Sequence, residues 1–319
     1  MDEFLAQWHS KDERLLVHTS GSTGKPKPMW VEKEKMRNSA RITCRFLGLQ
    51  PGNTALLCMP LDYIAGKMMV VRSIECGLQL VAVPPNGHPL ADSTMPALDF
   101  AAMVPMQVYN SLQVPEERDR LRSIRHLIIG GGAIDHKLEH ELSTFPNHVW
   151  STYGMTETLS HIALRPVNGL HASLWYRPFD SVTVSKGEDG CLVIDAPLVC
   201  DGTIVTNDIV DLKEGEDGTV LFRIKGRKDN VICCGGIKIQ AEEAEEKLRP
   251  HLPEPFMIVK RKNPKFGEVA VLLSESTDLV GVEAVCRRVL PKFWVPKEFV
   301  HVDRLPLTDT GKPRRCYFL

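Results

Sequence analysis

The sequence predicts an α/β protein with a large N-terminal α/β domain, a β subdomain within it and a small C-terminal α+β domain. Short apolar runs, such as 14–18, alternate with longer segments of helical periodicity, such as 32–47. This alternation is typical of a sheet flanked by helices. From about residue 182, short strand-like runs separated by turn sequences at 188–190 and 216–218 favour an antiparallel β unit.

The pattern changes again after Lys225-Gly226-Arg227-Lys228-Asp229. An acidic helical pattern at 241–248, two apolar runs and a second helical pattern at 280–290 follow this segment. Their order is typical of a compact α+β unit. We therefore expect two domains, residues 1–228 and residues 229–319.

Composition excludes several classes of function. The 319 residues contain 39 Lys and Arg against 40 Asp and Glu, so no overall charge favours nucleic acid or an anionic membrane surface. The first 16 residues lack a signal-peptide core, and no apolar run is long enough to span a bilayer. We expect a cytoplasmic protein without membrane insertion. The nine cysteines lack metal-ligand spacing, which favours free, buried thiols.

The densest motif, Thr-Ser-Gly-Ser-Thr-Gly-Lys-Pro-Lys at 19–27, directly follows the first apolar run. Glycines let the backbone approach an anion, hydroxyls donate hydrogen bonds and lysine supplies positive charge, so this composition favours polyphosphate binding. The spacing of a Walker loop is absent. Taken alone, the segment could also be a flexible surface turn. The candidate phosphate ligands are Thr19, Ser20, Gly21, Ser22, Thr23, Gly24 and Lys27.

This motif closely resembles the ATP-phosphate loop of the adenylate-forming superfamily, which includes acyl- and aryl-CoA synthetases, luciferases and peptide-synthetase adenylation domains. Further motifs of the superfamily follow in the same order along nearly the whole chain. Gly130-Gly131-Gly132-Ala133 resembles its adenine-side loop, and Tyr153-Gly154-Met155-Thr156-Glu157 resembles the motif whose aromatic ring packs on adenine. The resemblance implies that Thr156 contacts phosphate and that Glu157 helps hold Mg²⁺, both as catalytic residues.

The second half of the chain carries motifs that resemble the ribose, hinge and thiol-tunnel segments of the superfamily. Thr206-Asn207-Asp208 resembles Thr-Gly-Asp, which implies that Asp208 accepts the ribose hydroxyls, although Asn207 departs from the usual Gly. Arg227 resembles the ribose-contacting arginine, and Asp229 resembles the hinge residue. Gly235 and Gly236 belong to a segment that resembles the loop lining the pantetheine tunnel.

A last motif, residues 305–312, resembles the one that carries the catalytic lysine of the superfamily, here Lys312. The resemblance implies that a substrate carboxylate attacks the α-phosphorus of ATP while Lys312 and Mg²⁺ stabilise charge on the phosphate oxygens. It also implies a mobile small domain that rotates about the hinge and brings the glycine loop to the site for attack by the thiol of coenzyme A. The large domain would bind ATP and the acyl group.

Within the superfamily, segments 59–67 and 156–161 resemble the o-succinylbenzoate-CoA ligases of menaquinone biosynthesis. Such an acid has a second carboxylate, which requires a cation or several hydrogen-bond donors in the acyl pocket. The candidate substrate residues are Tyr63, Lys67, Ser160 and His161, with Arg72 as a further basic candidate. Tyr63 replaces a His common in CoA ligases, Lys67 and Arg72 could instead face solvent, and His161 could merely pack.

Other interpretations stay open. The acid could be another aryl or fatty acid, and Asp62 would suit the ammonium group of an amino acid. Because the phosphate loop begins at residue 19, we expect an N-terminally abbreviated large domain. A nucleotide-binding relative without turnover is therefore the alternative to a working ligase. A sheet edge left exposed by this abbreviation would favour a homodimer.

One motif points to different chemistry. His136-Lys137-Leu138-Glu139-His140 fits the inverted zinc-peptidase pattern His-x-x-Glu-His. Ile134, Leu138 and Leu142 mark the apolar stripe of the same helix, which directs both histidines to solvent. We therefore expect no metal at this helix. The expected partners are a small carboxylic acid, ATP and coenzyme A, and no nucleic acid.

Overall fold

The computed structural model describes residues 1–18, 27–307 and 313–315. The α-helices are α1 (Asp2–His9), α2 (Lys33–Leu47), α3 (Ile64–Cys76), α4 (Pro105–Gln113), α5 (Pro115–Ser123), α6 (His136–Leu142), α7 (Ala241–Leu248) and α8 (Leu279–Val289). The strands are β1 (Arg14–His18), β2 (Pro28–Glu32), β3 (Thr54–Leu57), β4 (Gln79–Ala82), β5 (Phe100–Met103), β6 (His126–Ile129), β7 (His148–Gly154), β8 (His161–Pro166), β9 (Arg177–Pro178), β10 (Thr183–Lys186), β11 (Cys191–Asp195), β12 (Thr203–Glu214), β13 (Val220–Arg227), β14 (Val231–Cys234), β15 (Ile237–Gln240), β16 (Phe256–Asn263), β17 (Gly267–Ser274) and β18 (Glu298–His301).

The chain divides into two compact units. The first contains Met1–Val184, Ile194–Ile204 and Lys213–Phe222, and the second contains Ser185–Val193, Val205–Leu212 and Arg223–Leu319. The domain boundary between residues 228 and 229 stays a prediction.

In the part of the chain that the structure describes, seven strands form the main sheet of the first unit, in the order β4-β3-β5-β6-β7-β8-β9. The strands from β4 to β7 pair in parallel, whereas β8 and β9 pair in antiparallel fashion. Every residue of β5 and β6 is buried, as expected for parallel strands covered on both faces. The predicted α/β fold class is confirmed.

Burial of one apolar face holds α4, α5 and α6 against this sheet. Val108, Leu121 and Leu138, one from each helix, belong to a single cluster with Met103 of β5 and Leu127 of β6. Full burial of each such side chain stabilises the fold by about 1.5–3 kcal/mol. This packing fixes the carboxyl ends of β5, β6 and β7 at one edge of the sheet.

The helices α2 and α3, which pack on each other, end where their helical patterns end in the sequence. Each is followed by a glycine in the left-handed conformation, Gly48 at φ 64° and Gly77 at φ 65°, where a side chain would be strained. The shorter α6 begins at an N-cap, because Asp135 accepts a hydrogen bond from the Leu138 N–H at 2.9 Å.

Four described strands form a further sheet in the order β10-β11-β12-β13. Its two predicted turns are confirmed as tight turns. Gly190 N–H donates to Gly187 O at 2.9 Å between β10 and β11, and Gly218 N–H donates to Gly215 O at 3.0 Å between β12 and β13. The acidic turn sequences therefore mark strand ends as the sequence predicts.

The main sheet of the second unit has the order β15-β14-β17-β16, and β18 pairs with β17 in parallel. A largely buried ion pair involves Arg315: its guanidinium donates to Glu245 Oε1 at 2.6 Å and to Ile258 O at 2.7 Å. Glu245 also accepts from Ile258 N–H at 2.6 Å. These additional hydrogen bonds satisfy groups that burial would otherwise leave without partners.

Within the described ranges, no helix is both long enough and apolar enough to cross a membrane. The described cysteines are all free thiols. Burial raises the pKa of Cys58 to about 12 and that of Cys286 to about 11. Both stay protonated near neutral pH and are poor nucleophiles.

A stacked histidine pair lies at the amino ends of β6 and β7. The rings of His126 and His148 are 5.1 Å apart with an interplanar angle of 14°. His126 is buried, and neither of its ring nitrogens has a hydrogen-bond partner among the described residues. Burial, together with His148 and Arg125, lowers the pKa of His126 to about 4. His126 is therefore neutral in the folded protein at neutral pH.

We expect the protein to lose stability as the pH falls from about 6.5 toward 4. The unfolded His126 takes up a proton near pH 6.5, whereas the folded residue, with its pKa of about 4, does not. By linkage the full loss is on the order of 3 kcal/mol. His126→Phe keeps the stack and removes the titration, so its melting temperature should fall less on acidification than that of the wild type. The exposed His140→Gln is the control, and identical acid sensitivity of His126→Phe and wild type would contradict this account.

Candidate active site

The predicted adenine-side loop and the predicted Tyr-Gly motif meet at one edge of the main sheet. Because Ile129 pairs with Ser151 in the parallel β6–β7 ladder, the glycine run after β6 lies beside the end of β7. A Cβ atom at Gly130 would stand only 2.4 Å from Thr152 Oγ1. The next three residues, Gly131, Gly132 and Ala133, are exposed at this edge. Their role in nucleotide binding stays a prediction.

Gly154 lies at a close approach between two backbone segments. The β7–β8 ladder changes register between Tyr153 and Gly154. A Cβ atom at Gly154 would lie 2.2 Å from Ser160 O and 2.5 Å from His161 Cα. Since real Cβ atoms do not approach backbone so closely, only glycine fits without displacing the start of β8.

Tyr153 belongs to an aromatic cluster on one side of this contact. Its ring meets Phe222 edge-on at 5.0 Å and Tyr176 at 5.9 Å, and Tyr176 stacks on Phe222 at 5.4 Å. The Tyr176 hydroxyl is 2.8 Å from Ser151 Oγ, and Arg165 lies 5.6 Å from the Tyr176 ring centre. The sequence analysis did not identify Tyr176 or Phe222, because each is an isolated aromatic residue outside any motif.

The chain between β7 and β8 forms a short 3-10 turn over Thr156–Thr158. The Thr158 hydroxyl closes it, since it accepts from Met155 N–H at 3.0 Å and lies 2.7 Å from Ser160 O. Leu159 follows with φ 65°, the only positive φ of a described residue other than glycine. Such strain costs about 1–3 kcal/mol and needs strong local support.

Glu157 is exposed on this turn and makes no ion pair or hydrogen bond with another described residue, whereas Thr156 is buried. No group of three or more His, Cys, Asp and Glu that could hold a metal occurs in the described ranges. Mg²⁺ at phosphate sites usually takes only one or two protein carboxylates and completes its coordination with phosphate oxygens and water. A single accessible Glu157 fits that mode of binding.

On the other side of the Gly154 contact, Ser160 and His161 join a buried polar cluster. Arg72 Nη2 donates to Ser160 Oγ at 2.5 Å, and Ser160 Oγ lies 3.2 Å from His161 Nδ1. His161 Nε2 is 3.1 Å from the Thr43 hydroxyl. Thr43, on α2, carries no sequence motif and was not identified by the sequence analysis. The structure therefore brings two predicted substrate residues together with Arg72.

Arg72 is the unusual member of this cluster. It is 2% exposed, and its remaining side-chain contact is Nη1 to Met69 Sδ at 3.7 Å. Among the described residues, no carboxylate pairs with it and its Nε has no hydrogen-bond partner. Burial lowers the pKa of Arg72 to about 10, and burial together with Arg72 lowers the pKa of His161 well below its usual range. The cluster is thus a buried cation beside a neutral imidazole.

Lys67 and Tyr63 lie elsewhere. Lys67 donates to Leu61 O at 2.5 Å and lies 6.0 Å from the Phe4 ring centre; it makes no hydrogen bond with the described residues of the Arg72 cluster. Tyr63 forms an isolated β-bridge with His18 at the end of β1, immediately before the predicted phosphate loop. Their roles toward substrate stay predictions.

The second unit brings its predicted ribose and hinge residues together. Arg227 donates to Asp208 Oδ1 at 3.3 Å and to Asp229 Oδ2 at 3.0 Å. Asn207 donates to the same Asp229 oxygen at 3.3 Å, which gives this departure from the family motif a structural role. In the same unit, the predicted tunnel residues Gly235 and Gly236 form the turn between β14 and β15.

Several predicted residues lie outside the described ranges. Lys27 is described; it is exposed and directly precedes β2. The residues outside are Thr19, Ser20, Gly21, Ser22, Thr23, Gly24 and Lys312.

The zinc-peptidase pattern on α6 is engaged in other interactions. Glu139 forms an ion pair with Arg165 at 2.6 Å. Leu138 and Leu142 are buried, as the predicted apolar stripe requires, while His136 and His140 are exposed. These contacts account for the helix without a metal.

Comparison with known proteins gives one family match and several similar proteins. The family model described as AMP-binding enzyme matches residues 4–197. A 2-succinylbenzoate–CoA ligase from Bacillus mycoides is 25% identical, over 98% of this chain and 71% of that protein. An acyl-CoA synthetase (AMP-forming)/AMP-acid ligase II-like protein from Dyadobacter fermentans has 31% identity and a TM-score of 0.67, over 98% of this chain and 91% of that one. An o-succinylbenzoate coenzyme A synthetase from Bacillus subtilis, solved with ATP and magnesium, has 21% identity and a TM-score of 0.73, over 94% of this chain and 68% of that one. At this level of identity the similarity indicates a shared fold alone.

Gly154→Ala tests the close backbone approach. The added methyl group would overlap Ser160 and His161, so we expect a loss of about 1–3 kcal/mol in the free energy of unfolding. Gly132→Ala is the matched control, because its Cβ would only touch Pro105 at 3.7 Å. Urea unfolding of both variants measures the difference. Equal stability of the two variants would show that β8 can shift freely.

Proposed function

This chain belongs to the AMP-binding enzyme family, and from that premise we propose that it is an acid–thiol ligase whose acid is o-succinylbenzoate. The enzyme activates the carboxylate with ATP as an acyl-adenylate and then transfers the acyl group to coenzyme A. The name of the Bacillus mycoides relative supports the choice of acid. The chemistry of the buried cluster of Arg72, Ser160 and His161, which we assign as the acyl site, also supports it.

In the first step, a carboxylate oxygen of the acid attacks the α-phosphorus of ATP, and pyrophosphate leaves. Thr156 and the phosphate loop with Lys27 bind the phosphates, and Lys312 stabilises charge on the α-phosphate oxygens. Glu157 would hold Mg²⁺, which neutralises part of the phosphate charge. In the second step, the thiol of coenzyme A loses its proton, its sulfur forms a bond to the acyl carbon, and the bond from that carbon to the adenylate oxygen breaks, so that AMP leaves.

The remaining predicted residues bind the nucleotide and permit the second step. Tyr153 offers an aromatic surface to adenine, and Asp208 accepts the ribose hydroxyls beside Arg227. Asp229 is the pivot for a small domain that begins at residue 229, and its glycine turn approaches the thiol. A cytoplasmic location and a homodimer stay predictions.

The observation that carries the choice of acid is the buried guanidinium of Arg72. Two other arginines that are largely buried, Arg165 and Arg315, each have a carboxylate partner, Glu139 and Glu245 respectively. Arg72 has none among the described residues, although its pKa of about 10 keeps it charged at neutral pH. An unpaired buried charge costs several kcal/mol. The second carboxylate of a dicarboxylic acid would supply the missing partner.

Pyrophosphate release from Mg-ATP tests the reaction across o-succinylbenzoate, benzoate, a medium-chain fatty acid and an aromatic amino acid, with and without coenzyme A. We expect release that depends on o-succinylbenzoate and a thioester product that appears only with coenzyme A. Preference for another acid would assign a different acyl-CoA ligase. ATP binding without release for any acid would assign a nucleotide-binding relative without turnover.

Arg72→Met tests the acyl site. Loss of a buried, hydrogen-bonded charge pair costs about 2–5 kcal/mol, so kcat/KM for o-succinylbenzoate should fall by at least roughly 30-fold. The KM for ATP should stay nearly constant, and the protein without acid should be no less stable, because a buried unpaired charge is removed. Lys67→Met on the same helix is the matched comparison. A larger effect at Lys67 than at Arg72 would contradict the assignment.

A further inference from the structure

We propose that Thr43, on α2, is a positioning residue that orients Arg72 through a buried chain of hydrogen bonds and so tunes recognition of the acid's second carboxylate. Thr43 itself does not contact the acid in this proposal. The proposal rests on the proposed function, since Arg72 is taken as the partner of that carboxylate. The hydrogen-bond chain itself can be tested without any carboxylic acid substrate.

The hydrogen-bond chain connects three elements of the first unit, α2, β8 and α3. Thr43 Oγ1 donates to Ser39 O at 3.0 Å and lies 3.1 Å from His161 Nε2. His161 Nδ1 lies 3.2 Å from Ser160 Oγ, which accepts from Arg72 Nη2 at 2.5 Å. Thr43 is 0% exposed, Arg72 2% and His161 8%. Water is therefore largely excluded from most of the chain.

The proton positions along the chain follow from one carbonyl group. In this proposal the single hydroxyl proton of Thr43 points to Ser39 O, which can only accept. Thr43 Oγ1 must then accept from His161, which places the imidazole proton on Nε2 and leaves Nδ1 as an acceptor. Ser160 donates to Nδ1, and its oxygen lone pairs accept from Arg72. Every hydrogen bond therefore points in one direction, from Arg72 toward α2.

A neutral His161 is needed for this order. Burial and the neighbouring Arg72 lower the pKa of His161 well below its usual range, so one ring nitrogen is free to accept at neutral pH. The question that remains is which nitrogen carries the proton. Thr43 is the only described hydrogen-bond partner of Nε2, and it decides in favour of Nε2–H.

This order of hydrogen bonds fixes the orientation of the Arg72 guanidinium. Ser160 holds Nη2, while Nε has no partner among the described residues. A carboxylate that binds a guanidinium in bidentate fashion needs two N–H groups in the same plane as its oxygens. Small rotations of the Arg72 guanidinium therefore weaken this interaction. Without the Thr43 hydroxyl, His161 can place its proton on Nδ1 and donate to Ser160. The Ser160 hydroxyl then turns away, and the anchor for Arg72 is altered.

Thr43→Val and Thr43→Ser form a matched pair. Valine has nearly the same shape without the hydroxyl, and serine restores the hydroxyl. We expect Thr43→Val to raise the KM for o-succinylbenzoate by roughly 5- to 30-fold, the factor that corresponds to about 1–2 kcal/mol. The KM for ATP and kcat should change by less than about twofold, and Thr43→Ser should stay near wild type. An equal rise in both KM values, or no rescue by serine, would overturn the positioning role.

A spectroscopic readout separates this proposal from the proposed function. The ¹⁵N chemical shifts of the His161 ring, assigned by comparison with His161→Gln, report which ring nitrogen is protonated in the protein without bound carboxylic acid. We expect the Nε2–H form in wild type and Thr43→Ser, and a shift toward Nδ1–H in Thr43→Val. An unchanged tautomer in Thr43→Val would overturn the chain even if o-succinylbenzoate is the substrate. If Thr43→Val does not fold, Thr43→Ala removes the same hydroxyl.

The two failures are distinguishable. If wild type fails to use o-succinylbenzoate while the tautomer shifts in Thr43→Val, the choice of acid is wrong. The proposed effect of Thr43 on acid binding is then wrong too, although the hydrogen-bond chain from Thr43 to Arg72 is supported. If wild type uses o-succinylbenzoate and the tautomer shifts without a change in KM, Thr43 does not position Arg72 for the acid.

Discussion

The backbone contact of Gly154 with Ser160 and His161 determines how the candidate active site is arranged. It requires β7 to end and β8 to begin within van der Waals distance, so the intervening residues close into a 3-10 turn with Leu159 at a positive φ. Tyr153 on one side of the contact stays in the aromatic cluster. Ser160 and His161 on the other side reach Arg72. A single close approach therefore sets both the predicted nucleotide end and the predicted acyl end.

Charge burial is the main feature of the predicted acyl end, the cluster of Arg72, Ser160 and His161. Arg165 and Arg315 are neutralised by carboxylates of their own unit, and such pairs help specify one packing arrangement without demanding a ligand. Arg72 is instead held by a hydroxyl and a thioether sulfur. Its electrostatic cost is retained in the folded protein, and in the proposed function the second carboxylate of the acid would offset that cost. In general, binding sites with buried polar groups discriminate strongly against ligands that leave those groups unpaired.

In the second unit, one arginine serves two predicted roles. Arg227 lies between Asp208, the predicted ribose residue, and Asp229, the predicted hinge residue. Asn207 adds a hydrogen bond to the hinge carboxylate. Asn207, which stands where the resembled motif has Gly, thus makes a polar contact with Asp229, and the predicted ribose and hinge residues share one small charge network.

The sequence by itself determined the fold class, the ends of α2 and α3, the turns of the four-stranded sheet and the family. These features depend on local periodicity, on glycines at helix ends and on contiguous motifs, all of which can be read along the chain. It could not separate Lys67 from Arg72, because both are basic residues on one helix. Five positions at 3.6 residues per turn place them on different faces. Only packing against β8 and α2 decided that Arg72 joins Ser160 and His161.

Tertiary structure also decided the role open to Thr43, Tyr176 and Phe222. None belongs to a motif, and each meets its partners from a distant part of the chain. A hydroxyl on a helix is ordinarily satisfied by the carbonyl four residues earlier, as Thr43 is by Ser39. The second contact of the Thr43 hydroxyl, with His161, depends on where β8 lies after the 3-10 turn that follows Gly154. That position is set by sheet register and steric exclusion between distant backbones, which no local pattern encodes.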